Sequence, residues 1–156
     1  PSLDLTISHM THHPDTHETP HAAPPRLSIV ALDDDADFRE YLRESLASQG
    51  HDIRAVATPD ELTSALESST PNVVLLDMSM PGADPMKALA RLTKAQECTT
   101  RVVLFPGHEN DVVADAASKA GACGFLSKNA EVPVILNAIR EAARWRKDAD
   151  PFRVWA

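Results

Sequence analysis

Pro71-Asn72-Val73-Val74-Leu75-Leu76-Asp77-Met78-Ser79-Met80-Pro81-Gly82 is the stretch on which the fold turns. Val73 to Leu76 are four consecutive apolar residues, two of them β-branched. Such a run reads as a strand buried on both faces, the kind found inside parallel sheets. Asp77 ends the run, and Pro81-Gly82 lies just beyond it, where the chain leaves the core for a loop. Burying a lone ionised carboxylate is expensive, so Asp77 asks for a cation or a reaction nearby.

The same alternation extends in both directions. Leu27 to Leu32 reads as a strand. Ala36 to Gln49 reads as a helix, with Phe38, Tyr41, Leu42, Ser45 and Leu46 on its inner stripe and Gly50 as its stop. Asp52 to Val56 is a short strand. Thr58-Pro59-Asp60-Glu61 supplies an N-cap, a proline at N1 and early acids, which predicts a helix to about Ser68. A helix over Asp84 to Lys94 carries Met86, Leu89, Ala90 and Leu92. Arg101 to Phe105 is a fourth strand, Glu109 to Ala120 a small-residue helix stopped at Gly121, and Gly124 to Ser127 a fifth strand. Val132 to Arg146 closes the series as a helix with Val134, Ile135, Ala138, Ile139, Ala142 and Trp145 inward. Five strands alternating with five helices predict a doubly wound α/β domain, a parallel sheet covered on both faces. Ligands of such sheets bind beyond the carboxyl ends of the strands.

The chain has 156 residues, a net charge of -8 and 43% hydrophobic residues, which suits one acidic domain plus a tail. Charge alone argues against direct nucleic-acid binding by this segment. No apolar run approaches the ~20 residues of a membrane span, and the N-terminus lacks a signal-peptide pattern. Cys98 and Cys123 have no metal-binding spacing and are expected as reduced thiols of a cytoplasmic protein. Residues 1–26 hold five of the twelve prolines and five of the seven histidines without an apolar period, and are expected as a disordered tail. The stretch ending Ser8-His9-Met10 reads in part as a cloning remnant, with Met10 as the natural start. Residues 27–147 form the domain and 148–156 a C-terminal tail, whose apolar end Phe152-Arg153-Val154-Trp155 packs on the domain or on a partner.

Polar residues fall at strand ends. Asp33, Asp34 and Asp35 follow the first strand, Asp77 ends the third, and Lys128 follows the fifth. Carboxylates sharing a cleft repel, which raises a pKa or recruits a divalent cation. Oxygen ligands of this type suit Mg²⁺ together with a phosphate. Asp77 is then the available nucleophile and Lys128 a contact for a phosphoryl oxygen. The plainer reading of Asp33-Asp34-Asp35 alone is an N-cap and acidic first turn. There is no GxGxxG and no GxxxxGK[ST], so a dinucleotide or P-loop site is not expected. Met78, Met80 and Met86 read as packing.

Leu32-Asp33-Asp34-Asp35 with Phe38-Arg39, then Leu75-Leu76-Asp77-Met78-Ser79-Met80-Pro81-Gly82, then Ala120-Gly121-Ala122-Cys123-Gly124-Phe125-Leu126-Ser127-Lys128 occur in that order. This set resembles the response-regulator receiver domain of two-component signalling over about residues 27–147. The resemblance implies a flavodoxin-like (βα)5 fold with strand order 2-1-3-4-5. It implies that Asp77 accepts a phosphoryl group from a kinase phosphohistidine. Asp33 and Asp34 would hold Mg²⁺ with Asp77, Asp34 the more direct ligand, and the Ser79 backbone carbonyl would be a further ligand. Lys128 would contact the phosphoryl group, and Phe125 matches the switch aromatic, for which plain core packing is the alternative. The partners implied are a sensor histidine kinase or phosphotransfer protein and a second copy in a homodimer. At most the domain would phosphorylate and dephosphorylate itself, without being a conventional enzyme.

One position departs from that pattern. The switch hydroxyl of the family, Thr or Ser, falls 22 positions before Lys128, on Pro106. Proline has neither hydroxyl nor N–H. The backbone N–H of Gly107 is left to reach the phosphate. Asn129 after the lysine, with Ala130 and an apolar helix, is similar to receivers attached to LuxR-type regulators. Two function classes follow. One is a Mg²⁺-dependent phosphoacceptor that regulates dimerisation or output binding. The other is a docking module whose output ignores phosphate because the switch residue is missing.

Overall fold

In the computed structural model, residues 25–94, 100–107 and 111–156 are described. Residues 1–24 of the tail expected over 1–26, Cys98, and the start of the helix expected from Glu109 lie outside them. The elements are β1 (Ser28–Leu32), α1 (Ala36–Ala47), β2 (Asp52–Val56), α2 (Pro59–Ser68), β3 (Val73–Asp77), α3 (Pro85–Thr93), β4 (Arg101–Phe105), α4 (Asp111–Lys119), β5 (Gly124–Leu126), α5 (Val132–Ala143) and β6 (Arg153–Trp155). The sheet has the order β2-β1-β3-β4-β5-β6, and all five strand pairings are parallel. The expected order 2-1-3-4-5 is present, extended by one strand.

The central strand is buried on both faces for the reason its sequence suggests. Val73 and Leu75 enter one core with Leu42, Leu46, Ile135 and Ile139 of α1 and α5. Val74 and Leu76 enter the other with Leu62, Leu89 and Ala117 of α2, α3 and α4. Each fully buried Val or Leu contributes about 1.5–3 kcal/mol relative to an exposed one. The period-2 alternation of a strand sends Asp77 to the same side as Leu75, toward α1 and α5. It emerges where the sheet ends.

Caps fix the helix starts. Thr58 Oγ1 accepts the Glu61 N–H at 3.2 Å, and Pro59 stands at the head of α2. Asp84 accepts the Lys87 N–H at 3.1 Å ahead of Pro85. Gly50, at φ 83°, takes the left-handed turn that stops α1, a conformation a residue with a Cβ rarely adopts.

Three details differ from expectation. Tyr41 is exposed, not inward, because Phe38, Leu42 and Leu46 fill the buried stripe of α1. It stacks on Phe38 at 6.1 Å instead. α5 ends at Ala143 and not Arg146, since the Arg144 and Trp145 N–H groups tighten onto the Glu141 and Ala142 carbonyls and the Arg146 N–H turns to the Asp150 carboxylate. Residues 153–155, expected within a tail, pair with β5 as the sixth strand.

Candidate functional site

The turn after β1 is wound around its own acids. Asp33 is fully buried; its N–H donates to the Val56 carbonyl at 3.1 Å and its Oδ1 accepts the Asp35 N–H at 2.9 Å. Arg39 Nη1 holds the Asp33 carbonyl at 2.9 Å. Asp35 caps α1 by accepting from the N–H groups of Asp37 and Phe38, so the plainer reading holds for that residue. Asp34, between them, is exposed.

Asp77 is 2% exposed at the end of β3 and is paired in register with Phe105. Its Oδ1 accepts the Ser79 N–H at 2.9 Å. Its Oδ2 faces Lys128 Nζ at 3.3 Å, and the same ammonium lies 2.7 Å from Asp33 Oδ2. One carboxylate oxygen from each of Asp33, Asp34 and Asp77 lies within 4.8 Å of the others. The strand ends of β1, β3 and β5 thus converge as the sequence reading requires.

The electrostatics are strained in one direction. Burial raises the Asp33 pKa above the ordinary carboxylate value, and the Asp77 charge adds to that; the Lys128 bond and the Asp35 N–H oppose it. Desolvation by itself would lower the Lys128 pKa. Bonding and attraction to Asp33, then Asp77, outweigh it and raise the pKa. Three carboxylates face one ammonium. Asp33 Oδ2 is buried, with the Lys128 ammonium at 2.7 Å as its counter-charge. An all-oxygen donor set with excess negative charge fits a divalent cation.

Phe38 escaped the sequence reading as a site residue. Its ring lies 5.2 Å from Lys128 Nζ and meets Phe105 edge-on at 5.2 Å, so it forms the apolar wall behind the lysine. An aromatic in the first turn after an acidic run was the available signal. At the end of β4, Pro106 is half-buried and Gly107 exposed. A Cβ on Gly107 would overlap the Ser79 hydroxyl, so the two loops are in close approach. Phe125 is buried and meets Phe152 edge-on at 5.0 Å, which makes packing part of its role. Cys123 is buried, and desolvation pushes its thiol up to about 12, which keeps it unreactive.

Residues 29–140 match the response regulator receiver domain. The chain belongs to that family. It is 32% identical over 134 residues to the probable transcriptional regulatory protein NarL of Mycobacterium tuberculosis H37Rv, covering 84% of this chain and 61% of that protein. It is 33% identical over 121 residues to the nitrate/nitrite response regulator protein NarL of Escherichia coli K12, covering 74% of this chain and 54% of that protein. The solved signal receiver domain of the Mycobacterium tuberculosis NarL superposes with a TM-score of 0.68 at 28% identity, covering 79% of this chain and 100% of that one. This receiver chain therefore spans little more than half the length of the NarL relatives. Its acidic cluster and doubly paired lysine form a site of the phosphoacceptor type. Among the described residues, no helix is long and apolar enough to cross a membrane.

Proposed function

We propose that Asp77 accepts a phosphoryl group from the phosphohistidine of a sensor histidine kinase or phosphotransfer protein. The observation that carries this reading is Lys128 Nζ, held 3.3 Å from Asp77 Oδ2 and 2.7 Å from Asp33 Oδ2 at the mouth of a three-carboxylate cluster. A carboxylate oxygen of Asp77 attacks phosphorus. The P–N bond breaks, its electron pair stays on the imidazole nitrogen, and a P–O bond forms an acyl phosphate on Asp77. Positioning and charge neutralisation carry most of such a transfer.

Asp33, Asp34, Asp77 and the Ser79 carbonyl would hold Mg²⁺, which neutralises phosphoryl oxygens when bound. Lys128 supplies fixed positive charge where the transferring group arrives. Asp33 holds Lys128 in place, and Phe38 keeps water from the far side of the ammonium. The Gly107 N–H is the donor left on the β4 side, because Pro106 has none.

Modification of Asp77 would then alter dimerisation or the binding of an output domain of LuxR type. The second reading, a docking module indifferent to phosphate, draws on Pro106 alone. Incubation with acetyl phosphate and Mg²⁺, followed by intact mass, tests the first. One added phosphoryl group, lost in Asp77→Asn and on chelation of the metal, supports the first. A wild-type mass that never changes supports the second.

A further inference from the structure

The family match ends at residue 140, so β6 lies outside it. Yet β6 is built into the sheet by several independent contacts. The Arg153 N–H donates to the Cys123 carbonyl at 3.0 Å, and the Ser127 N–H donates to the Trp155 carbonyl at 3.2 Å. Glu141 of α5 pins the strand from the side, accepting from Arg153 Nη1 at 2.7 Å and from the Trp155 indole N–H at 2.9 Å. The Trp155 indole bond, with smaller help from Asn137 and Arg153, holds the Glu141 pKa below the ordinary carboxylate value, and a carboxylate acceptor makes these bonds strong. Gly124 of β5 is the complement on the other strand. A Cβ there would overlap the Arg153 carbonyl and the Trp155 ring. The β5 backbone is therefore cut to receive β6 closely.

The placement of the Ser127 bond matters most. Ser127 directly precedes Lys128, the residue that bridges Asp33 and Asp77. With Leu126 the last residue of β5, the lysine follows two residues later. Trp155 thus fixes the point from which Lys128 departs. At the other end of β6, Phe152 braces Phe125 edge-on at 5.0 Å.

We propose that β6 is a positioning strand for the phosphoacceptor site: the Trp155 carbonyl, held by Glu141 and admitted by Gly124, sets the departure of Lys128 toward Asp77. Trp155 and Glu141 are positioning residues and touch no reacting atom. The role in phosphoryl transfer rests on the function proposed above; the placement of Lys128 does not.

The test uses the full chain in three variants. Gly124→Val displaces β6 without removing it. Glu141→Ala removes its pin, and Glu141→Gln keeps an acceptor oxygen as the conservative control. The first readout needs no phosphate: NMR shifts of the Lys128 Nζ and Cε, with amide exchange at Ser127. In Gly124→Val and Glu141→Ala the Lys128 shifts should move toward those of free lysine and Ser127 should exchange faster, while Glu141→Gln stays near wild type. The second readout is phosphoryl uptake from acetyl phosphate. It should fall roughly tenfold, an order below the ~100-fold that a full 1 Å misplacement costs. Mg²⁺ affinity, carried by the carboxylates, should hold or rise, because a displaced Lys128 no longer competes for them.

Lys128 shifts that stay at wild-type values while Ser127 exchanges freely would overturn the proposal, leaving β6 as an edge cover. A fall of uptake and Mg²⁺ affinity together would also overturn it, as general collapse of the site. If the wild type takes up no phosphoryl group, the proposed function fails, and the Lys128 shifts alone decide the positioning role.

Discussion

The two ends of the sheet bury ionisable groups in opposite ways. At the carboxyl end, Asp33 and Asp77 are buried as charges around a shared lysine. At the amino end, His51 is 5% exposed and neutral: its Nδ1 accepts the Leu27 N–H at 3.1 Å, and its Nε2 has no hydrogen-bond partner. Desolvation, then the nearby Arg140 charge, hold the His51 pKa below the ordinary imidazole value. The core tolerates the imidazole by keeping its proton off. It tolerates the carboxylates only by importing counter-charge. Paying for buried charge at one end and avoiding it at the other marks the carboxyl end as the functional one.

The largest expected effect breaks the carboxyl end outright. Asp77→Asn should abolish phosphoryl uptake while leaving the fold intact, since an amide keeps an acceptor for the Ser79 N–H but lacks a nucleophilic oxygen. Intact mass after acetyl phosphate and Mg²⁺ checks it. Labelling that persists in the variant would place the acceptor elsewhere, with Asp33 or Asp34 the next residues to change.

Lys128→Met comes next. Removing one partner of a buried pair costs about 3–5 kcal/mol, and the partial exposure of Lys128 brings this case below that range. Urea denaturation should show a stability loss of about 2–3 kcal/mol. Uptake should drop about 100-fold, the scale for losing one fixed donor at a transition state. Mg²⁺ should raise the Tm of the variant more than that of wild type, because the cation then meets uncompensated carboxylates. Equal Tm gains in the two proteins would mean that the cluster does not hold the ion.

These contrasts show how much was open to reading beforehand. β2, α2 and β4 stand where expected, because Thr58-Pro59 and the Val-Val-Leu-Phe run are local signals. Asp33, Asp34, Asp77 and Lys128 were found because strand ends in a parallel sheet gather on one edge. β6 was missed as a strand for a physical reason. Arg153-Val154-Trp155 is too short to show a period, and what makes it a strand is a glycine 29 positions away on β5 together with Glu141 on α5. In sequence Phe38 shows only a core pattern, because its cation partner Lys128 is far off along the chain. The neutral His51 left no trace in sequence either, since its state depends on Leu27 and Arg140.

A subtler change sharpens the carboxyl end without breaking it. Pro106 follows the register partner of Asp77 and offers no donor where a phosphoryl oxygen would arrive. A ligand shifts a conformational equilibrium only through its differential contacts with the two states. A hydrogen bond to a charged group is worth about 1.5–3 kcal/mol, so Pro106→Thr should bind beryllofluoride about tenfold more tightly than wild type. It should also show larger NMR shifts over residues 105–107 and 111–126. A wild-type response as large as the variant's would route coupling through Gly107 or Lys128, and would remove the main support for a docking module indifferent to phosphate.

The smallest effect belongs to the amino end and acts as its control. The folded His51 pKa lies below the unfolded value, so in the interval between them the unfolded chain binds more protons. Stability from this residue is therefore fully present above the unfolded imidazole value and is lost as pH falls through the folded one. His51→Asn keeps an acceptor for the Leu27 N–H and has nothing to protonate. At pH 7.5 the two proteins should differ by about 1 kcal/mol or less, the scale of one neutral hydrogen bond. Toward pH 5 the wild type should lose stability relative to the variant, while phosphoryl uptake at neutral pH stays equal in both. Carboxylate titrations at the other end are common to the two proteins and cancel in the difference. A stability difference that stays flat from pH 7.5 to 5, measured by urea unfolding, would mean that His51 is protonated in place, with its unpartnered Nε2 reaching an acceptor. The amino end would then bury charge as the carboxyl end does, and the contrast between the two would fall.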